Sequence, residues 1–208
     1  MSTTETLQTS HTPSLWLPAI ILVIWGMLIA TLASQGAFLD PGPLPLRVVA
    51  AALLPPALFF VAWRTSSTIR RWVTDLDFAL VTGIQTFRVI GVVFLILLVM
   101  GRLPAVFAIP GGIGDIAVGM IAVAATISVA RQSNGWERSV RLLIWTGLLD
   151  FAVVFAAAAL SSPGMPLQLA HAPAPVIMQS LPMVMIPAFG VPAFIIGHMI
   201  AWMKLTRA

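Results

Sequence analysis

The chain contains no cysteine. That absence removes disulfides, thiolate metal sites, cysteine nucleophiles and CxxC redox chemistry together, and it leaves the compartment unreadable from cysteine usage. Charge is nearly as scarce. Asp, Glu, Lys and Arg make up 9% of the 208 residues and hydrophobic residues 59%, whereas a soluble domain carries about 25% charged residues. With a mean hydropathy of +1.01, the composition is that of a membrane protein.

Catalytic signatures are also missing. No GxxxxGK[ST] phosphate loop, HExxH pair or GxSxG elbow occurs, and no two histidines and a carboxylate cluster together, so a nucleotide motor, a zinc protease and a serine hydrolase are excluded. The longest polar connection, RTSSTIRRWVTDLD from Arg64 to Asp77, is too short to fold as a catalytic domain. The expectation is a protein without enzymatic activity, metal or cofactor. Its formal charge of +4 does not point to nucleic acid, because the cations flank apolar runs and form no patch interleaved with aromatics.

What is present is a series of apolar stretches long enough to cross a bilayer as helices. Spans are expected at about 14–33, 44–63, 78–100, 115–130, 142–160 and 181–203, an all-α polytopic bundle forming one domain over 14–208. Residues 1–13, polar and without Lys or Arg, read as a disordered tail. The lack of a basic start argues against a signal peptide. Pro55 and Pro56 fall within the second span and Pro182, Pro187 and Pro192 within the last, so both are expected to kink. The segment Gly101–Gly114, GRLPAVFAIPGGIG, reads as an apolar connection, either an interfacial turn or a re-entrant dip. The fourth span is rich in Ala, Gly and Ser and is expected at the bundle centre. LPAVFAIP at Leu103 and LPMVMIP at Leu181 resemble each other loosely, a weak hint of an internal repeat.

Arg64, Arg70, Arg71, Arg131, Arg138, Arg141, Lys204 and Arg207 fall at one end of these spans, and Arg47 and Arg102 at the other. The positive-inside rule makes the first end cytoplasmic, with both termini there. Trp63, Trp72, Trp136 and Trp202 mark the same boundary. A bacterial inner membrane is the expected location, since the architecture resembles small inner-membrane proteins of bacteria.

Arg88 is the anomaly, lying inside ALVTGIQTFRVIGVVFLILLVM. An arginine at a helix centre costs roughly 2.5–3.5 kcal/mol on insertion scales and must face protein or water. At a rise of ~1.5 Å per residue, Arg88 lies about 15 Å from the cytoplasmic end, Asp150 about 12 Å and Asp115 about 22 Å. Depth therefore predicts an Arg88–Asp150 ion pair, with Gln85 and Thr146 as hydrogen-bonding neighbours. Asp115 is expected to cap the fourth span after a turn formed by Gly111, Gly112 and Gly114, near Arg102. Those turn residues are either a plain helix start or an anion-binding cluster of N–H groups.

Histidine contributes little at this level. His171 falls in the longest loop and His198 about 8 Å from the cytoplasmic end of the last span, so the two cannot clamp one haem. His198 reads as a packed or interfacial residue. Two functions lead, and a third, a membrane redox or lipid enzyme, has the least support because no set of cofactor ligands is visible. One is a small solute or ion permease, or its membrane subunit, with a path past Gln85, Arg88, Asp150 and Thr146 and an anionic solute drawn by Arg88. The other is a scaffold or accessory subunit in which the pair is structural. The lipid bilayer and a partner subunit in it are the macromolecular surroundings expected.

Overall fold

The computed structural model describes residues 15–42, 44–168 and 173–207. The tail 1–13 and His171 lie outside the described residues. Among those described the structure is helical throughout, without strands, and six helices are long and apolar enough to cross a membrane.

α1 (Trp16–Ser34) and α2 (Leu46–Thr65) come first. α2 continues through Pro55 and Pro56. The connection expected after it contains a helix of its own, α3 (Ser67–Asp75), which Ser66 caps by accepting from the Ile69 N–H at 3.4 Å. Arg71 and Asp75 are exposed, Arg70 turns back to the Arg64 carbonyl at 2.8 Å, and Val73 is buried. Lys204 donates to the Thr74 carbonyl at 2.6 Å, tying the last helix to the end of α3.

The third span is one path of three conformations: α4 (Phe78–Gly83), a 3-10 segment Ile84–Gly91 and α5 (Val92–Val99). Asp77 starts it by accepting from the Leu80 N–H at 2.6 Å. A 3-10 turn repeats every three residues, so side chains at i and i+3 eclipse. Burial follows that period through Thr82, Gln85, Arg88, Gly91 and Phe94. In an α-helix residues spaced three apart share a face but drift around it by about 60° at each step.

α6 (Ala105–Ala130) corrects the expected boundary of the fourth span. There is no turn at Gly111, Gly112 and Gly114, nor a re-entrant loop: those residues lie in continuous helix, and Asp115 lies well inside it rather than at its cap. The connection shrinks to residues 100–104. Pro110 and three glycines read as helix breakers, yet the helix persists because it is packed on both sides. Gly112 lies against Leu95 and Gly111 against Phe94 on one side, and Gly114 against Asp150 on the other, and close contact outweighs the roughly 1 kcal/mol that a glycine costs relative to alanine in a helix. α6 is the central helix of the bundle, touching α4, the 3-10 segment, α5 and α7.

α7 (Trp136–Leu160) begins earlier than expected, so Glu137, Arg138 and Arg141 are helical rather than in a loop. Hydropathy marks where a helix becomes apolar and not where it starts. The last span begins with a π turn, Ile186–Gly190, and continues as α8 (Val191–Leu205), leaving residues 181–185 outside it. Pro187 and Pro192 stand in the two places where a missing N–H is accommodated, the widened turn and the first turn of α8.

Two apolar clusters hold the ends of the bundle. Val73, Val81, Val129, Val140, Ile144, Ile200 and Met203 form one, at the end bearing most of the arginines. Phe94, Leu103, Phe107, Ala108 and Met178 form the other. Gln85, Arg88, Asp115, Asp150 and His198, all buried, lie between them.

Candidate functional site

Arg88 projects from the 3-10 segment into the space between α6 and α7 and is wholly buried, 0% exposed. Its Nε donates to Oδ1 of Asp115 at 2.7 Å, its Nη2 to Oδ2 of Asp150, and its Nη1 to the Gly147 carbonyl at 3.1 Å. The guanidinium also lies over the Phe151 ring, 3.9 Å from its centroid. One cation thus binds two helices through two carboxylates, a carbonyl and an aromatic face.

Space for this layer comes from glycine. A Cβ at Gly91 would lie 2.3 Å from the Asp115 Cβ, and one at Gly147 would lie 2.2 Å from His198 Nε2. A Cβ at Gly197 would come within 2.7 Å of Gln85 Nε2. Each buried polar side chain occupies the volume that a residue on the facing helix gives up.

The structure brings Arg88 and Asp150 together, as their depths predict, and adds Asp115. Gln85 is on the same face as Arg88 but donates elsewhere, to the Phe194 carbonyl at 3.0 Å. Thr146 is not a neighbour of the pair: its hydroxyl turns back to the Leu142 carbonyl at 2.7 Å. Gly114 serves Asp150 instead of forming a turn, and the N–H groups of Gly111 and Gly112 belong to a helix, which leaves no anion-binding cluster there.

Sequence reasoning missed two members. Asp115 sits opposite Arg88 because α5 and α6 form a hairpin over a short turn, and the two residues are nearly equidistant from it. That symmetry is readable once the turn is placed at GRLP. The other is His198, 1% exposed and stacked edge-on to Phe151 with ring centroids 6.4 Å apart. Among the described residues neither imidazole nitrogen finds a hydrogen-bond partner, nor does Oε1 of Gln85. Depth counted from the sequence set His198 about 8 Å from the cytoplasmic end, short of Arg88 and Asp150, and so gave no sign that it joins their layer.

A cavity of about 730 Å³ reaches this layer from the end of the bundle opposite the arginine-rich one. α2 and α7 form facing walls, with Phe94, Phe107, Val154 and Phe155 among the lining residues. Its mouth lies by Asp40, which pairs with Arg47 at 3.4 Å and whose N–H donates to Oε1 of Gln179 at 2.9 Å. Its floor carries Asp115 and Asp150, whereas Arg88 and His198 do not line it. No group of three or more His, Asp or Glu suited to a metal occurs among the described residues.

The family model of a domain of unknown function, DUF8737, matches residues 45–206. The match takes in α2 to α8, hence every member of the polar layer, and omits α1. No curated protein and no solved structure matches the chain.

Proposed function

We propose, from the premise that this chain belongs to the DUF8737 family, that it is a multi-pass protein of the bacterial inner membrane that admits a small solute to mid-bilayer, as a permease or the membrane subunit of one. The observation that carries this is the cavity. Its volume falls within the roughly 300–1,000 Å³ of small-molecule sites, and apolar walls closing on a few polar groups are the usual form of such a site. Ionisable residues at membrane depth mark solute and ion pathways in transport proteins. The positive-inside rule, applied to Arg64, Arg70, Arg71, Arg131, Arg138, Arg141, Lys204 and Arg207, directs the cavity mouth away from the cytoplasm.

The absence of cysteine makes the test direct. Val154→Cys on the cavity wall and Arg207→Cys at the basic end are each introduced singly and exposed to a membrane-impermeant maleimide on intact cells. Labelling of Val154→Cys alone is expected. Protection of Val154→Cys in folded protein, with labelling only after denaturation, would remove the cavity as an entry route.

The complete burial of Arg88 favours a second function, a scaffold or accessory subunit in which the ion cluster clasps the third span to α6 and α7. Under that role, filling the cavity through Val154→Trp leaves partner assembly unchanged, whereas a solute path is blocked by it.

A further inference from the structure

The floor of the cavity carries unequal numbers of charged groups. Two carboxylates share one guanidinium, and each gives it a single oxygen: Oδ1 of Asp115 and Oδ2 of Asp150. Among the described residues nothing donates a hydrogen bond to Oδ2 of Asp115 or Oδ1 of Asp150. Both residues are 8% exposed, and both line the cavity. The guanidinium, at 0% exposure, is shielded from any occupant. A solute arriving from the mouth therefore meets carboxylate and not arginine. An anionic head would have to displace one of them from Arg88, leaving a buried carboxylate unpaired, a costly state in low dielectric. A cationic head completes the charge balance instead.

The walls specify the rest of the occupant. Phe94, Phe107, Val154 and Phe155 offer apolar and aromatic surface, and the mouth carboxylate, Asp40, is already paired with Arg47. Aromatic faces attract ammonium groups as well as burying hydrocarbon. We infer that the cavity binds an amphipathic organic monocation, with its apolar body along these walls and its ammonium group on the free oxygens of Asp115 and Asp150. This rests on the cavity being an open solute site, as proposed above, and replaces the anionic solute expected of Arg88 with one of opposite charge.

Three probes with one body and different heads test it: 4-phenylbutylamine, 4-phenylbutan-1-ol and 4-phenylbutyrate, measured by native mass spectrometry and thermal shift on the detergent-purified full chain. The amine is expected to bind at least tenfold more tightly than the alcohol, with the carboxylate weakest. Asp150→Asn should erase the amine preference. Val154→Trp, which fills the cavity without touching the ion cluster, should abolish binding of the amine and keeps the test available if Asp150→Asn does not fold. Equal binding of amine and alcohol overturns the cationic preference while leaving the cavity as a solute site, and so does preference for the carboxylate. Binding of none overturns it too, and maleimide labelling of Val154→Cys then shows whether the cavity has failed as well.

Discussion

Oδ1 of Asp150 occupies the space that a side chain at Gly114 would fill, and a Cβ built on Gly114 lies 1.7 Å from it. Neither residue can change independently. The carboxylate reaches Arg88 only because α6 carries no side chain at that point, and α6 approaches α7 closely there for the same reason.

Gly114→Ala should accordingly destabilise the protein by about 3 kcal/mol or more, since overpacking alone costs about 1–3 kcal/mol and here it also dislodges an ion-pair partner. Gly83→Ala is the control. Its Cβ would meet nothing closer than Thr126 Cγ2 at 3.6 Å, so a neutral or slightly stabilising effect is expected. Thermal unfolding in one detergent compares the two; equal losses would show that the carboxylate yields easily.

Replacing Arg88 by Gln leaves Asp115 and Asp150 without their shared cation and should cost about 3–5 kcal/mol, the usual result of removing one member of a buried ion pair. The triple change Arg88→Met, Asp115→Asn, Asp150→Asn should recover most of that loss. The charge swap Arg88→Asp with Asp150→Arg should recover less, because it sets a new carboxylate beside Asp115. Full recovery by the swap would mean that Asp115 contributes nothing to the cluster.

His198→Phe tests whether the imidazole nitrogens matter to folding. Both lack a partner among the described residues, and an unpaired buried polar group costs about 1–3 kcal/mol, so an apolar ring of similar shape should hold or raise the melting temperature. A marked fall would show that His198 has a partner of its own.

Lys204→Ala should loosen α3. The ammonium donates to the Thr74 carbonyl at 2.6 Å and the Val73 carbonyl at 3.4 Å, and a hydrogen bond from a charged group contributes about 1.5–3 kcal/mol. Faster hydrogen exchange confined to Ser67–Asp75 is the expected readout, with α6 unchanged.

Depth counting in the sequence brought Arg88 level with Asp150, and the side chains are in contact. Both residues lie in helices entered from the same end, and the two counts fell short in the same direction, so the levels still matched. It failed for Asp115 because the other two depths were undercounted: α7 begins at Trp136 and Arg88 lies in a 3-10 segment that rises faster per residue, so both residues lie nearer the level of Asp115. Gly111, Gly112 and Gly114 beside Pro110 resemble a turn in local propensity, and nothing local shows that neighbours will press against them. Gln85 and Arg88 are spaced three apart, which puts them on one face in an α-helix as well. The 3-10 segment brings them into direct register.

The sequence by itself determined that this chain is a bundle of six apolar helices with one arginine that must be neutralised inside it. Hydropathy and the cost of a buried charge are properties of composition and order, and they do not depend on which helices meet. The tertiary structure alone decided that Arg88 is shared by two carboxylates and hidden behind them, that His198 joins the layer, and that a cavity ends on Asp115 and Asp150. Those outcomes depend on helix rotation and approach, which the facing glycines 91, 114, 147 and 197 permit, and close approach is a property of pairs of surfaces that no single stretch of chain contains.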